Sequence, residues 1–205
     1  PAWSAQVLKD CPEAVARVHD DYVRAGATVH TANTFRTRAE NVGHQWVELT
    51  TQAVQLARSS CLESHRIAGS MAPIADCYRP DLSPPSAGDA HKTFAGVLAR
   101  CGVDLLLCET FPHVPEALGA VHAAVETGVE TWVSFTAGPN GDLLRPDEIR
   151  KGAKEAVLLG ARAVLINCVP AAQTLRFLHA IHDLGVPFGA YANAGHPDEG
   201  IGWNA

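Results

Sequence analysis

Apolar and polar residues along this chain switch repeatedly between two periods. Amphipathic stretches, with apolar residues three and four apart, end in glycine, and a short apolar run follows each glycine directly. The unit appears at Gly26 in "YVRAGATVHTANTF", at Gly102 in "VLARCGVDLLLCETF" and at Gly128 in "AAVETGVETWVSFT". It returns at Gly160 in "AVLLGARAVLINCV" and at Gly185 in "AIHDLGVPFGAYAN". A helix can end on glycine because glycine enters the left-handed conformation cheaply. The run after it reads as a strand of roughly 5–7 residues. "HRIAGSMAP" at 65–73 supplies a sixth strand without the glycine cue.

Helices are expected over 10–25, 44–59, 86–101, 114–127, 146–159 and 171–184. In the first, Ala14, Val15, Val18, Tyr22 and Val23 recur at helical spacing; in the second, Trp46, Leu49, Ala53 and Leu56 do so. Pro146 and Pro170 sit where a first helical turn accepts proline. Strands alternating with helices give βαβ units and a parallel sheet. Residues 74–87, "IADCYRPDLSPPSA", form the one long loop, expected to lie ordered over a surface.

Two architectures share this pattern: an open doubly wound sheet and a (β/α)8 barrel. No Gly-x-Gly-x-x-Gly or Walker loop favours a nucleotide-binding open sheet. The first helix has no strand before it, and the chain stops in a loop after the last strand. A barrel lacking its first and last strands would have this appearance, so a strand is expected before Pro1.

Composition narrows the function classes. The 205 residues are 47% hydrophobic and 19% charged, which suits one globular domain with a real core. A net charge of −6 gives no electrostatic reason to bind nucleic acid or an anionic membrane. No apolar run approaches the ~18–20 residues that span a bilayer, and no secretory signal is visible. The six cysteines are scattered, which argues for a reducing, cytoplasmic setting over a disulfide scaffold.

Function in either architecture gathers at the C-terminal ends of the strands. Those ends carry Thr31 to Phe35, Gly69 to Pro73, Cys108 to Pro112, Ser134 to Thr136, Asn167 to Pro170 and Tyr191 to Asn193. This rim is small and polar, with Glu109 its single charge. It lacks the lysine of a Schiff-base aldolase, the basic group of a phosphate site and the paired carboxylates of a glycosidase. Glu109 reads as an anchor for a substrate amine, or as one half of a salt bridge. Cys168 ends a buried strand with no partner at Cys-x-x-Cys spacing. It is a packed thiol, a nucleophile with His30 as base, or a metal ligand whose partners lie far off in sequence.

In this order, the strand-end motifs resemble the homocysteine S-methyltransferase family. "AGATVHTANTF" resembles that family's second-strand segment, "IAGSMAPIADCYRPDLSP" its third strand and following loop, and "GVDLLLCETFP" its fourth strand with Glu-Thr. "TWVSFT", "AVLINC" and "FGAYANAG" resemble strands five, six and seven, so the likeness runs over nearly the whole chain. The resemblance implies an α/β fold of the (β/α)8 TIM barrel type, with residues 1–205 as one barrel domain lacking its first and last strands. It implies methyl transfer to the thiol of homocysteine from a small donor of the S-methylmethionine, S-adenosylmethionine or betaine type. It further implies one zinc ion on three cysteines. Cys168 matches one of them, and the other two are expected as an adjacent pair beyond residue 205. Glu109 matches the family glutamate on the homocysteine amine, and Asn33, Thr34, Phe35, Gly69 and Ser70 match its pocket wall. Ala72 stands where many members have glycine. Phe35, Tyr78 and Trp203 are candidates for a cation–π wall around the donor. The alternative is a non-catalytic barrel of the same family that binds an amino acid or thiol with an incomplete metal site.

Overall fold

Residues 3–193 are described in a computed structural model of the chain. Six parallel strands form one sheet in the order in which they occur along the chain. They are β1 (Val29–Ala32), β2 (Arg66–Met71), β3 (Leu105–Phe111), β4 (Glu130–Phe135), β5 (Ala163–Pro170) and β6 (Phe188–Asn193). Parallel crossovers are right-handed, so an order that never reverses puts every connecting helix on the same face of the sheet. A doubly wound sheet reverses its order and covers both faces. The sequential order therefore excludes the open alternative, and the sheet curls into a half-barrel.

The helices are α1 (Gln6–Asp10), α2 (Pro12–Arg24), α3 (Ala39–Val42), α4 (Trp46–Ser60), α5 (Ala87–Arg100), α6 (Val114–Val125), α7 (Pro146–Leu159) and α8 (Ala171–Ile181). The six expected from the sequence match the six long ones. Helices α1 and α3, at five and four residues, are too short to show a helical period. Neighbouring strand residues point to opposite faces, and the core accordingly has two layers. Ile67, Met71, Leu106, Val133 and Ile166 pack outward against helix residues such as Leu98, Val121, Ile149 and Phe177. Ala68, Leu105 and Leu107 pack inward with Trp132 and Leu165, on the concave side. Among the described residues, β1 and β6 have one strand neighbour each, and Val29, Phe188 and Tyr191 there are exposed.

All five glycines expected to end helices have positive φ: Gly26, Gly102, Gly128, Gly160 and Gly185. Gly160 caps α7 at φ 115°, donating its N–H to the carbonyls of Ala156 and Val157. That turn delivers the chain into β5, and so sets where Cys168 falls.

The proline-rich loop after β2 is pinned from below. The buried Arg38 guanidinium donates to the carbonyls of Ala72, Pro73 and Ile74. Burial lowers its pKa to about 10, so it is still charged at neutral pH. Glu116 accepts from the Ile74 N–H at 2.7 Å and from His91 Nε2 at 3.2 Å. Burial pushes this carboxyl up, but hydrogen bonds from His91, Ser83 and Ile74 outweigh it and hold the group ionised. Two buried charges thus order the loop that carries Cys77 and Tyr78. No helix among the described residues is long and apolar enough to cross a membrane.

Gly160→Ala is expected to lower unfolding free energy by about 1–2 kcal/mol, the cost of a left-handed alanine, with its Cβ 3.2 Å from Val125. Gly119→Ala, inside α6 with nothing within 4 Å of the new Cβ, is expected to raise stability by about 0.5–1 kcal/mol. Denaturant midpoints of the two variants against the parent chain check both signs.

Candidate active site at the strand-end rim

Two strands break register near their C-terminal ends. The β3–β4 pairing shifts between Cys108 and Phe111, and the β5–β6 pairing between Asn167 and Pro170. At each break one residue turns left-handed: Thr110 at φ 63° and Cys168 at φ 53°. They are the only non-glycine residues with positive φ among the described residues. Such a residue costs about 1–2 kcal/mol and persists only where its surroundings hold it. Bulges of this kind re-aim side chains at the rims of barrels.

The Asn167 carboxamide holds both breaks together. Its Oδ1 accepts from the Thr110 N–H at 3.2 Å and from Ser134 Oγ at 2.7 Å. Its Nδ2 donates to Thr110 Oγ1 at 2.7 Å and to Cys168 Sγ at 3.1 Å. Bonds of this kind contribute about 1 kcal/mol each, enough together to offset two strained residues.

Glu109 lies between these features and faces the concave side. The residue is 8% exposed. Ser70 Oγ donates to its Oε1, and the Tyr191 hydroxyl donates to its Oε2 at 2.6 Å. Tyr191 leaves its ring 39% exposed while its hydroxyl is buried against the carboxylate. Burial raises the Glu109 pKa, and the bonds from Ser70 and Tyr191 pull it part of the way back. The salt bridge weighed for Glu109 from sequence is not formed: its partners are two hydroxyls. A buried carboxyl satisfied by neutral donors keeps its charge free to meet a cation.

Cys168 stands at the same rim. Asn167 Nδ2 donates to its sulfur, and the Thr110 and Tyr78 hydroxyls lie near enough to favour the thiolate. Burial and the Glu109 charge raise its pKa, against the pull of those bonds, so the thiol is protonated at neutral pH. Cys77 lies close enough for Cys168 to disfavour its ionisation, and its pKa is pushed up to about 11, chiefly by burial.

The pocket residues expected from the sequence divide into two groups. Asn33, Phe35, Ser70 and Glu109 line one cavity of about 360 Å³, closed on its other side by α1 and α2 through Val7, Val15 and Val18. Asn33 Nδ2 donates to the Ser4 carbonyl at 2.8 Å, and the Arg36 guanidinium lies over the Phe35 ring at 5.0 Å. Thr34 is fully buried behind this wall, where its hydroxyl accepts from the Ser70 N–H at 2.9 Å and donates to the Ser70 carbonyl at 3.0 Å. It positions Ser70, which in turn binds Glu109. Gly69 faces the helices: a Cβ there would lie 3.2 Å from Leu98 and Val103, so this glycine lets α5 approach β2. Tyr78 sits beside Cys168, and Trp203 lies outside the described residues.

The pairing of Cys168 with His30 as its base is not formed. His30 is the second residue of β1, at the end of the sheet opposite the rim, and is buried beside Ala27, His19 and His65. Three residues of the rim network escaped notice as partners: Asn167, Tyr191 and Tyr78. Strand parity could have found the first two, because positions 70, 109, 134, 167 and 191 share the inward face. Tyr78 reaches Cys168 from the loop, and no local signal reports that.

Comparison with known proteins bears on this arrangement. Residues 1–205 match the family described as homocysteine S-methyltransferase. The S-methylmethionine–homocysteine S-methyltransferase of Rattus norvegicus is 27% identical over 168 residues, covering 81% of this chain and 46% of that protein. The betaine–homocysteine S-methyltransferase 1 of Danio rerio is 31% identical over 178 residues, covering 81% of this chain and 43% of that one. The chain thus spans about half the length of the curated relatives it matches. The crystal structure of the homocysteine methyltransferase MmuM from Escherichia coli, in its metallated form, superposes with a TM-score of 0.81 at 26% identity. That match covers 94% of this chain and 76% of the other. On the match along its whole length, and on a fold shared with that structure, the chain belongs to the homocysteine S-methyltransferase family.

Proposed function

We propose that this protein transfers a methyl group from a small cationic donor to the thiol of homocysteine, yielding methionine. One observation carries the reading. A buried carboxyl with no cationic partner among the described residues, Glu109, shares a rim with a thiol, Cys168, near enough to raise that thiol's pKa. Homocysteine bears an ammonium group and a thiol a short chain apart, and so matches both features. In this reading residues 1–205 supply strands two to seven of a (β/α)8 barrel, and β5 is the barrel's sixth strand. The chain works in the cytoplasm, where its cysteines, all free among the described residues, stay reduced.

Glu109 binds the amine. Ser70 and Tyr191 fix both carboxylate oxygens, and Thr34 fixes Ser70, so the acceptor is oriented before the substrate arrives. Cys168 suits a zinc ion as one of three thiolate ligands. Its bulge turns the sulfur toward the rim, and the Asn167 N–H on that sulfur is the outer bond that orients a ligating thiolate. The thiol is neutral by itself, and two further cysteines beyond residue 205 would complete the set. Bound there, zinc would lower the pKa of a thiol in its open fourth position and leave the sulfur nucleophilic.

The homocysteine sulfur loses its proton to solvent and bonds to the donor's methyl carbon. The donor's sulfur or nitrogen leaves with the electron pair of the broken bond. Relatives are named for S-methylmethionine and betaine, both cations at the transferred methyl. Tyr78, beside Cys168, offers an aromatic face to such a charge, while the Phe35 ring already carries the Arg36 guanidinium.

Zinc analysis of the full-length protein is expected to show that Cys168→Ser removes about one equivalent relative to wild type. Equal zinc in the two proteins would return Cys168 to packing. Glu109→Gln is expected to raise KM for homocysteine about 10–100-fold, the worth of a charged hydrogen bond, while KM for the donor stays within about twofold. Steady-state kinetics with each substrate varied in turn separates the two.

Homocysteine binding is also expected to depend on pH with a definite sign. The ammonium requires ionised Glu109, whose pKa is raised in the folded protein. Affinity therefore climbs as pH rises through that elevated titration and levels off above it. Ser70→Ala removes a bond that lowers the Glu109 pKa, and shifts the climb to higher pH. Calorimetric titration across pH reads both, and a profile unaffected by Ser70→Ala would remove Ser70 from this role.

A further inference from the structure

A second group of soft donors gathers toward the N-terminal ends of the strands, with one of them, His19, also lining the far end of the cavity that holds Glu109. His19 on α2, His30 on β1 and Cys61 at the end of α4 hold one ligand atom each, all within 4.8 Å of one another. His19 and His30 are buried, and Cys61 is partly exposed. His65, in the turn from α4 to β2, stacks on His30 with ring centroids 5.1 Å apart, its Nδ1 3.0 Å from His30 Nε2. The Ala27 carbonyl lies 3.1 Å from that same nitrogen. Four such residues at one spot exceed what packing needs, since the homocysteine reading uses none of them.

We propose that His19, His30 and Cys61 bind a divalent transition-metal ion of the zinc class, distinct from the ion expected at Cys168. Around a tetrahedral zinc the ligand atoms stand about 3.3–3.8 Å apart, given bonds of about 2.0–2.3 Å. The three atoms already lie within about 1.5 Å of that spacing, a gap that rotations about χ1 and χ2 can close. Cys61 follows the last helical turn in an extended conformation (φ −102°, ψ 157°), free of the helix's rotamer limits. Imidazole nitrogens and one thiolate are the donors zinc prefers. The Ala27 carbonyl and His65 provide the outer hydrogen bonds that orient a ligating imidazole.

Local charge is mixed. The Asp20 carboxylate acts on both His19 and Cys61 and favours a cation; Arg58 acts on Cys61 with the opposite sign, although Asp104 engages it at 2.7 Å. The site joins α2, β1 and the end of α4 at the N-terminal ends of the strands. That is the pole of a barrel where side chains serve stability, so the bound ion would act as a staple.

The test uses metal-free Cys168→Ser protein titrated with Co2+, followed by displacement with Zn2+. One equivalent of Co2+ is expected, with tetrahedral ligand-field bands and a single-thiolate charge-transfer band. Adding Cys61→Ser removes the charge-transfer band, and either Cys61→Ser or His19→Gln weakens binding more than ~100-fold, beyond the loss usual for an outer partner. His65→Ala weakens it about 10–100-fold with the band retained. Zn2+ raises the melting temperature of the Cys168→Ser protein and leaves the doubly substituted protein unmoved. Cys61→Ser is nearly isosteric, and circular dichroism checks that it folds. No Co2+ uptake, or uptake indifferent to both Cys61→Ser and His19→Gln, overturns the proposal. Because Cys168 is absent throughout, neither result bears on its role in methyl transfer.

Discussion

Everything at the rim depends on one constraint: each crossover between parallel strands is right-handed, and the strand order never reverses. Helices then cover one face only. The other face is left to residues at every second strand position, and curling brings them toward a common axis. Apolar residues occupy the middle of that face, with Leu105, Leu107, Trp132 and Leu165. Polar residues occupy its C-terminal end, with Ser70, Glu109, Ser134, Asn167 and Tyr191. A polar layer there costs little because its members satisfy one another.

The rim is organised by two hydrogen-bonded groups that use different chemistry. Around Glu109 the donors are neutral hydroxyls, so the carboxylate is held without being neutralised. Around Asn167 one carboxamide satisfies two bulged strands, and through them fixes both Thr110 and Cys168 in left-handed conformations. The first group holds a buried carboxyl whose described partners are hydroxyls. The second keeps a sulfur aimed where an unstrained strand would not put it. Charge and sulfur meet because β3 and β5 flank β4 in the same curl.

The two poles of the sheet contrast in the same terms. At the rim the sulfur belongs to a bulge, and its partners come from distant segments. At the other pole the donors crowd around the ends of α2 and α4 and the start of β1, with no strained backbone among them. Strain at one end and dense packing of side chains at the other fit a site for chemistry and a site for stability.

The local elements were legible in the order of residues alone. Five helix-ending glycines, the long helices and the apolar runs of the strands follow from propensity and periodicity, which act over a few neighbouring residues. The strand-end motifs also carried the family likeness, and with it Glu109 and Cys168. What the sequence could not assign were relations across the sheet. Gly69, one residue from Ser70, turns to the helices while Ser70 turns to Glu109, because side chains alternate and the pairing register decides which face is which. His30 and Cys168 both lie near strand ends, yet they stand at opposite poles, since one opens its strand and the other closes it. Apart from the bond between neighbours Asn167 and Cys168, the contacts of Tyr191, Asn167 and Tyr78 span 33 to 90 residues of chain. Only the pairing and curl of the sheet, which set long-range distances, could bring them together.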